Sequence, residues 1–456
     1  MFKKFTNGCV ALVQKYLPDA FIFAIILSII TFFWAMFATG QGPMAMVMHW
    51  GNGVWNLLAF TMQMVLVLVL GSAFANSAPI QKLLQSIASK PKTPGSAIVI
   101  VTLVSAICCW LNWGFGLVVG ALLAKEVAKK VKNVDYRLLI ASAYSGFVVW
   151  HPGASGSVPL ALASNAEEVG KVTLGALTEI IPVSETLFST QNLIMVWLII
   201  LTIPFINRAM HPSPDKTVTV DPKMFEEEDA IIAAREATRK TRAEMTPAEK
   251  LENSAFLSYC VVVISVVYLV KHFATNGFVL SLNIVNLIFL ALGIAFHKTP
   301  MNYINAIGDA SGTAGGIILQ FPFYAGIMGM MVGANADGVS LASVITNGFI
   351  KIATTKTFGM ITFWVAGVIN LFVPSGGGQW AVQGPITMPA GIQLGCDPGQ
   401  IAMAIAWGDS WTNMLQPFWA LPALGIAKLG AKDIMGYCVV ILLYVGIIVS
   451  IGFLLW

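Results

Sequence analysis

The chain has 456 residues, of which 57% are hydrophobic and 11% charged, and its mean hydropathy is +0.78. Soluble domains carry about a quarter charged residues, so a water-soluble fold is excluded and an all-α polytopic membrane protein in a lipid bilayer is implied. The net charge of +4 arises from short loops and gives no footprint for nucleic acid.

Taken in chain order, Met1 to Phe21 puts basic residues before an apolar run, but Pro18 and Asp19 interrupt it and no small-residue cleavage site follows. It reads as a retained, cytoplasmic amphipathic lead-in. Apolar stretches long enough to span a bilayer, about 20 residues each, are expected near 19–39, 56–76, 137–160, 188–206, 254–270, 279–296, 312–332, 400–423 and 434–455. Two more, near 96–128 and 357–393, are too short for two crossings each and break at "LNWGFG" and "VPSGGGQ". They read as re-entrant hairpins.

With that drawing, 22 of the 26 Lys and Arg fall in loops placed inside, leaving Lys171, Lys271, Lys351 and Lys356 outside. The excess of inner positive charge is the expected bias for a cytoplasmic membrane. The six cysteines show neither metal spacing nor a paired framework and read as packing residues.

The pattern repeats. "HWGNGVWN" (His49–Asn56) and "IGDASGT" (Ile307–Thr313) each precede an apolar run, a broken hairpin, an interrupted helix and a final span. The interval from Asn112 to Ser155 is 43 residues and that from Ser375 to Asn413 is 38. Residues 1–206 form the first repeat (broken helix near 137–160) and 279–456 the second (broken helix near 400–423), joined by a polar cytoplasmic linker, 207–253, and a linking span, 254–270. Because a hairpin returns to its own side, that extra span inverts the second repeat, which is the plan of many secondary transporters. The linker holds an acidic run, Glu226–Asp229, and a capping-box pattern at Thr246–Glu249; it reads as a solvated tether or a docking surface.

Four polar blocks interrupt the apolar sequence: Cys109–Gly116, Val149–Ser157, Val373–Trp380 and Trp407–Pro417. Non-helical backbone at membrane depth survives only where protein buries it or water reaches it. From Arg137 to His151, and from Gln400 to Asp409, helix of about 21 Å and about 14 Å carries both interruptions into the middle of the bilayer. Glycines and serines there could serve helix packing alone, but four blocks matched in pairs favour a binding site. Asn112, Trp113, Gly114, His151, Ser155, Ser157, Ser375, Gly376, Gly377, Gly378 and Asn413 are the candidate substrate contacts. Asn112, Ser155, Ser375, Asp409 and Thr412 are the candidate cation ligands. His151 reads equally as a buried histidine against Trp150, and Asp409, the one carboxylate in these blocks, as a helix cap. No Lys or Arg occurs in the blocks and seven tryptophans lie in or beside them, which suits one carboxylate with an apolar tail better than a multiply charged acid.

"NWGFGLVVGA" (Asn112–Ala121), "QFPFYAGI" (Gln320–Ile327), "PSGGGQWAVQGP" (Pro374–Pro385) and "QPFWALPAL" (Gln416–Leu424) resemble the bacterial short-chain fatty acid transporter family over nearly the whole chain. The resemblance places the chain in the ion transporter superfamily and implies a homodimeric, elevator-type carrier taking acetoacetate, butyrate or similar acids across the inner membrane. Related members carry a Ser-Asn-Thr motif at the hairpin tips that helps bind sodium; here only Asn112 and Ser375 match it. No cofactor is implied beyond a coupling Na+ or H+. A cation/proton antiporter exchanging at Asp409 is the close rival. An intramembrane enzyme is disfavoured, since Asp409 has no second carboxylate in the blocks and five scattered histidines make no metal site.

Overall fold

The computed structural model describes residues 2–16, 18–164, 166, 169–170, 175, 177–221, 223, 230, 234, 241–277 and 281–456; among them every regular element is a helix. The first ten α-helices of seven residues or more are α1 (Phe2–Tyr16), α2 (Ala20–Thr39), α3 (Pro43–Gly53), α4 (Leu58–Ala75), α5 (Ala78–Ala88), α6 (Pro94–Leu111), α7 (Trp113–Lys130), α8 (Tyr136–Ser145), α9 (Ser157–Ser164) and α10 (Thr190–Ala209). The next ten are α11 (Ala255–Asn276), α12 (Leu282–His297), α13 (Pro300–Ser311), α14 (Gly315–Val332), α15 (Leu341–Ile350), α16 (Phe358–Asn370), α17 (Gly376–Gln393), α18 (Pro398–Thr412), α19 (Leu421–Ala427) and α20 (Ala431–Leu455).

Among the described residues six stretches are apolar and long enough to cross a bilayer: 21–39, 94–111, 190–209, 247–276, 300–332 and 431–455. A seventh arises if α4 and α5, bent by 80° at Asn76–Ser77, form one span. This is a multi-pass membrane protein. Several boundaries differ from the sequence reading for physical reasons. The expected span 56–76 turns at Ser77, where Pro79 in the first turn of α5 restarts the chain in a new direction. The short amphipathic helices α3, α5, α13 and α15 read as loops because each is well under a bilayer's thickness in length. The first hairpin has two legs of 18 residues, about 27 Å each, longer than half a bilayer. The charged end of α7, Lys125 to Lys130, accounts for part of that length. Val279, the expected start of the sixth span, and the acidic run Glu226–Asp229 lie outside the described residues.

The helices form two packed groups. In one, α14 lies against α2 and α3, and α4 against α12 and α13; in the other, α6 packs on α7, α8 and α10, and α18 on α16, α17 and α20. Helices α2–α4 and α11–α14 belong to the first group and α6–α10 with α16–α20 to the second, which α1 joins through α20. Contacts of α4 and α5 with α7, and of α15 with both α14 and α17, join them. Glycine makes the closest crossing in the first group possible, because a Cβ on Gly53 of α3 would sit 2.7 Å from the Ala325 carbonyl oxygen of α14. Helix α1 is docked rather than free: Gly436 of α20 leaves room for the Val10 backbone.

The start of the linker is also docked. Buried Asp135 caps α8 through the Leu138 N–H, accepts the Val218 N–H at 2.8 Å and lies 3.6 Å from Arg137, while its own N–H donates to His211 Nε2. The Thr246–Glu249 capping box forms with both of its hydrogen bonds.

Candidate functional site

Each hairpin turns on a residue in extended conformation that caps the leg following it. Asn112 Oδ1 accepts the Phe115 N–H at 3.0 Å, and Ser375 Oγ accepts the Gly378 N–H at 3.3 Å. Their side chains thereby satisfy amides that a helix start leaves unpaired. The interrupted helices complete the set. Helix α8 passes through a 3-10 turn, Gly146–Val149, and irregular chain to α9, and α18 passes through irregular chain and a 3-10 turn, Phe418–Ala420, to α19.

Both tips seat on the first interruption. The Trp113 N–H donates to Ser155 Oγ at 3.0 Å and the Ala154 N–H to the Trp110 carbonyl at 2.7 Å. From the other side, Gly376 is pressed against the same segment: a Cβ there would collide with Ser157 Oγ and lie 2.6 Å from His151 Cε1 and 3.0 Å from Trp150. The chain thus needs glycine at 376. It does not need it for room at Gly377, where a Cβ meets nothing within 4 Å, or at Gly114, whose nearest neighbour would be at 3.4 Å. The steric demand at the first tip falls on Gly116, not among the expected residues, where a Cβ would collide with the Cys109 backbone.

The two interruptions meet through side chains 258 or more residues apart. His151 Nδ1 lies 2.7 Å from Asp409 Oδ2, Trp150 Nε1 donates to Asn413 Oδ1 at 2.9 Å, and the Tyr144 hydroxyl donates to the Asn413 carbonyl at 2.7 Å. His151 and Asp409 are fully buried. The backbone N–H of Val158 points at His151 Nε2 from 3.2 Å. Because that group can only donate, Nε2 is an acceptor, and it also takes the Ser157 hydroxyl at 3.1 Å. The proton of a neutral His151 is therefore on Nδ1 and is donated to Asp409. Asp409 is thus held by a neighbouring side chain and is not an N-terminal cap, since it lies inside α18. Its Oδ1 has no partner among the described residues.

The five candidate cation ligands are not equally available. Ser155 and Ser375 accept backbone amides, Asn112 does likewise, and Thr412 donates to the Gly367 carbonyl and accepts from Asn370 Nδ2, both at 2.9 Å. Asp409 Oδ1 alone of these side-chain oxygens is buried without a hydrogen bond. No group of three or more His, Cys, Asp or Glu suited to a metal occurs among the described residues.

Aromatic rings enclose the meeting point. His151 stacks on Trp150 at 4.3 Å and 14°, Trp113 lies 5.0 Å from Trp419, and Trp150 lies 5.8 Å from Trp419. Trp407 and Trp411 instead tie helices together, donating to Asn192 Oδ1 and the Leu442 carbonyl. A cavity of about 500 Å³ runs between α13–α14 and α19, lined by Asp309, Gly312, Gln320, Leu421 and Lys428. Its inner residues Gln320 and Leu421 adjoin a stacked pair, Phe321 and Phe418, 3.9 Å apart.

A family model described as short chain fatty acid transporter matches residues 1–456. The chain belongs to that family. Relatives of this transporter bearing the family's name occur in Escherichia coli K12, 46% identical over 97% of both chains, and in Haemophilus influenzae Rd, 44% identical over 99% of both. It is a transporter and not an enzyme. Solved structures similar to it include the YdaH transporter of Alcanivorax borkumensis (14% identity, TM-score 0.45, covering 96% of this chain and 97% of that one). Another is MtrF of Neisseria gonorrhoeae (16% identity, TM-score 0.41, covering 99% and 97%). At that distance neither assigns a role to any residue of this transporter.

Proposed function

We propose that the transporter takes up short-chain monocarboxylates, such as butyrate or acetoacetate, across the inner membrane in symport with a cation. The observation that carries this reading is the buried contact between the two interruptions, His151 with Asp409 and Trp150 with Asn413, formed without any Lys or Arg in the four polar blocks. A site so built takes a small anion by uncharged donors, and the tryptophans beside it suit an aliphatic tail. Asp409 Oδ1 is the place for the coupling ion, a proton or Na+. An ionised carboxylate at mid-membrane costs about 3 kcal/mol or more, which a bound cation offsets.

In this reading α1–α10 and α12–α20 are inverted repeats joined by the linking span α11, with the N-terminus cytoplasmic and the hairpins entering from opposite sides. The group built on α14 and α4 is the fixed scaffold of a homodimer. The group holding both tips moves against it as an elevator. Asn112, Trp113, Gly114, Ser155, Ser157, Ser375, Gly376, Gly377, Gly378 and Thr412 form the frame that shapes the site. The test is uptake of labelled butyrate and acetoacetate into proteoliposomes with Na+ and proton gradients imposed separately. Accumulation under one gradient is expected; if neither drives uptake above that of empty vesicles, the symport reading fails.

A further inference from the structure

We infer that the substrate carboxylate is recognised by three uncharged donors: the Asn413 and Gln416 side-chain amides and the Tyr324 hydroxyl. This deepens the proposed function and rests on it. The orientation of each amide is fixed by a donor that allows only one choice. Trp150 Nε1–H must meet an acceptor, so the Asn413 atom 2.9 Å away is Oδ1, and the Phe418 N–H likewise requires Gln416 Oε1 at 2.7 Å. In both residues the atom left over is the NH2 group. Asn413 Nδ2, Gln416 Nε2 and Tyr324 Oη are all buried without a hydrogen-bond partner among the described residues, and all three side chains are fully buried.

Orphaned buried polar groups are rare in native folds and each needs an explanation. Here three fall in one neighbourhood and all can donate. Asn413 and Gln416 sit in the same interruption, three residues apart. Tyr324 joins them through Phe418, whose ring it meets edge-on at 5.1 Å and whose amide holds Gln416. Phe418 in turn packs on Trp419 at 5.2 Å, and Trp419 on Trp150, the residue holding Asn413. The unpaired acceptors nearby are Asp409 Oδ1, which the proposed function gives to the coupling ion, and Gln320 Oε1, one turn before Tyr324 in α14. A carboxylate supplies two oxygens with about four lone-pair sites, whereas a cation would leave the same donors unpaired. Gln416 and Tyr324 lie in two of the motifs that carry the family resemblance, and Gln416 in a polar block, but the sequence does not show that their donors are left unpaired.

The experiment measures butyrate affinity of purified, detergent-solubilised protein by ligand-induced thermal stabilisation, together with the KM for butyrate uptake. A hydrogen bond to a charged group corresponds to roughly a tenfold to hundredfold change in affinity. Tyr324→Phe removes one oxygen and keeps the ring packing; it should weaken butyrate binding about tenfold and raise KM to match. Gln416→Glu keeps the shape but replaces a donor with a like charge, and should abolish binding. The melting temperature without butyrate shows that each variant is folded. If Tyr324→Phe, folded as wild type, keeps its butyrate affinity and KM within twofold, the inference is overturned even though transport stands. If the wild type neither binds nor carries any short-chain acid, the failure lies with the proposed function.

Discussion

The two interrupted helices occupy comparable places but use their polar groups differently. In the first, the inventory closes on itself: His151 uses both ring nitrogens, Ser155 holds the Trp113 amide and Ser157 holds His151. In the second, Asp409 Oδ1, Asn413 Nδ2 and Gln416 Nε2 are left over, although their partner atoms are all engaged. The first segment is a cradle that fixes geometry, and the second presents unpaired groups to whatever is carried. Matched sequence blocks therefore do not imply matched roles.

The largest effect should come from the presenting side. Asp409→Asn keeps the shape and the acceptor for His151 but removes the charge. Gradient-driven accumulation of butyrate should fall to background while exchange of labelled for unlabelled butyrate persists; accumulation at the wild-type level would return Asp409 to a packing role. Next in size is a contrast within the second tip. Gly376→Ala forces a methyl group into Ser157 and His151, where overpacking costs about 1–3 kcal/mol, so uptake should drop about tenfold or more. Gly377→Ala, which meets open space, should leave uptake near wild type, and equal losses in both would show that backbone freedom rather than contact is what the glycines provide. The smallest effect should come from the cradle. Ser155→Ala strands the Trp113 amide, costing about 1 kcal/mol and a degree or two of melting temperature, with KM for butyrate unchanged. A raised KM there would mean that the first segment also touches cargo.

Much of this plan can be read along the chain. The tips at Asn112 and Ser375, an interruption within each of the blocks Val149–Ser157 and Trp407–Pro417 and the long apolar helices α2, α10 and α20 all follow from local composition, because a turn residue or a run of 20 apolar residues announces itself; the helix ends themselves fall at Ser145 and Thr412 rather than at His151 and Asp409. The pairing of His151 with Asp409 does not, being a contact across 258 positions set by how two bundles close. Which of three consecutive glycines is indispensable is equally hidden, since the answer depends on where Ser157 and His151 stand. The helices α3, α5, α13 and α15 escape notice because their 10–12 residues are too few for a spanning pattern, so that they read as parts of loops.

The stack of Phe321 on Phe418 has a mechanical consequence. Phe321 belongs to α14 and Phe418 to the second interruption, so on the proposed mechanism one ring is anchored to the stator and the other rides on the moving part. Sliding must shear the pair. An aromatic contact contributes about 0.5–1.5 kcal/mol beyond its buried area, so it can bias the resting position by roughly twofold to tenfold. That is a detent rather than a lock: strong enough to set where the unloaded carrier pauses, and weak enough for the energy of one bound ion or carboxylate to release it.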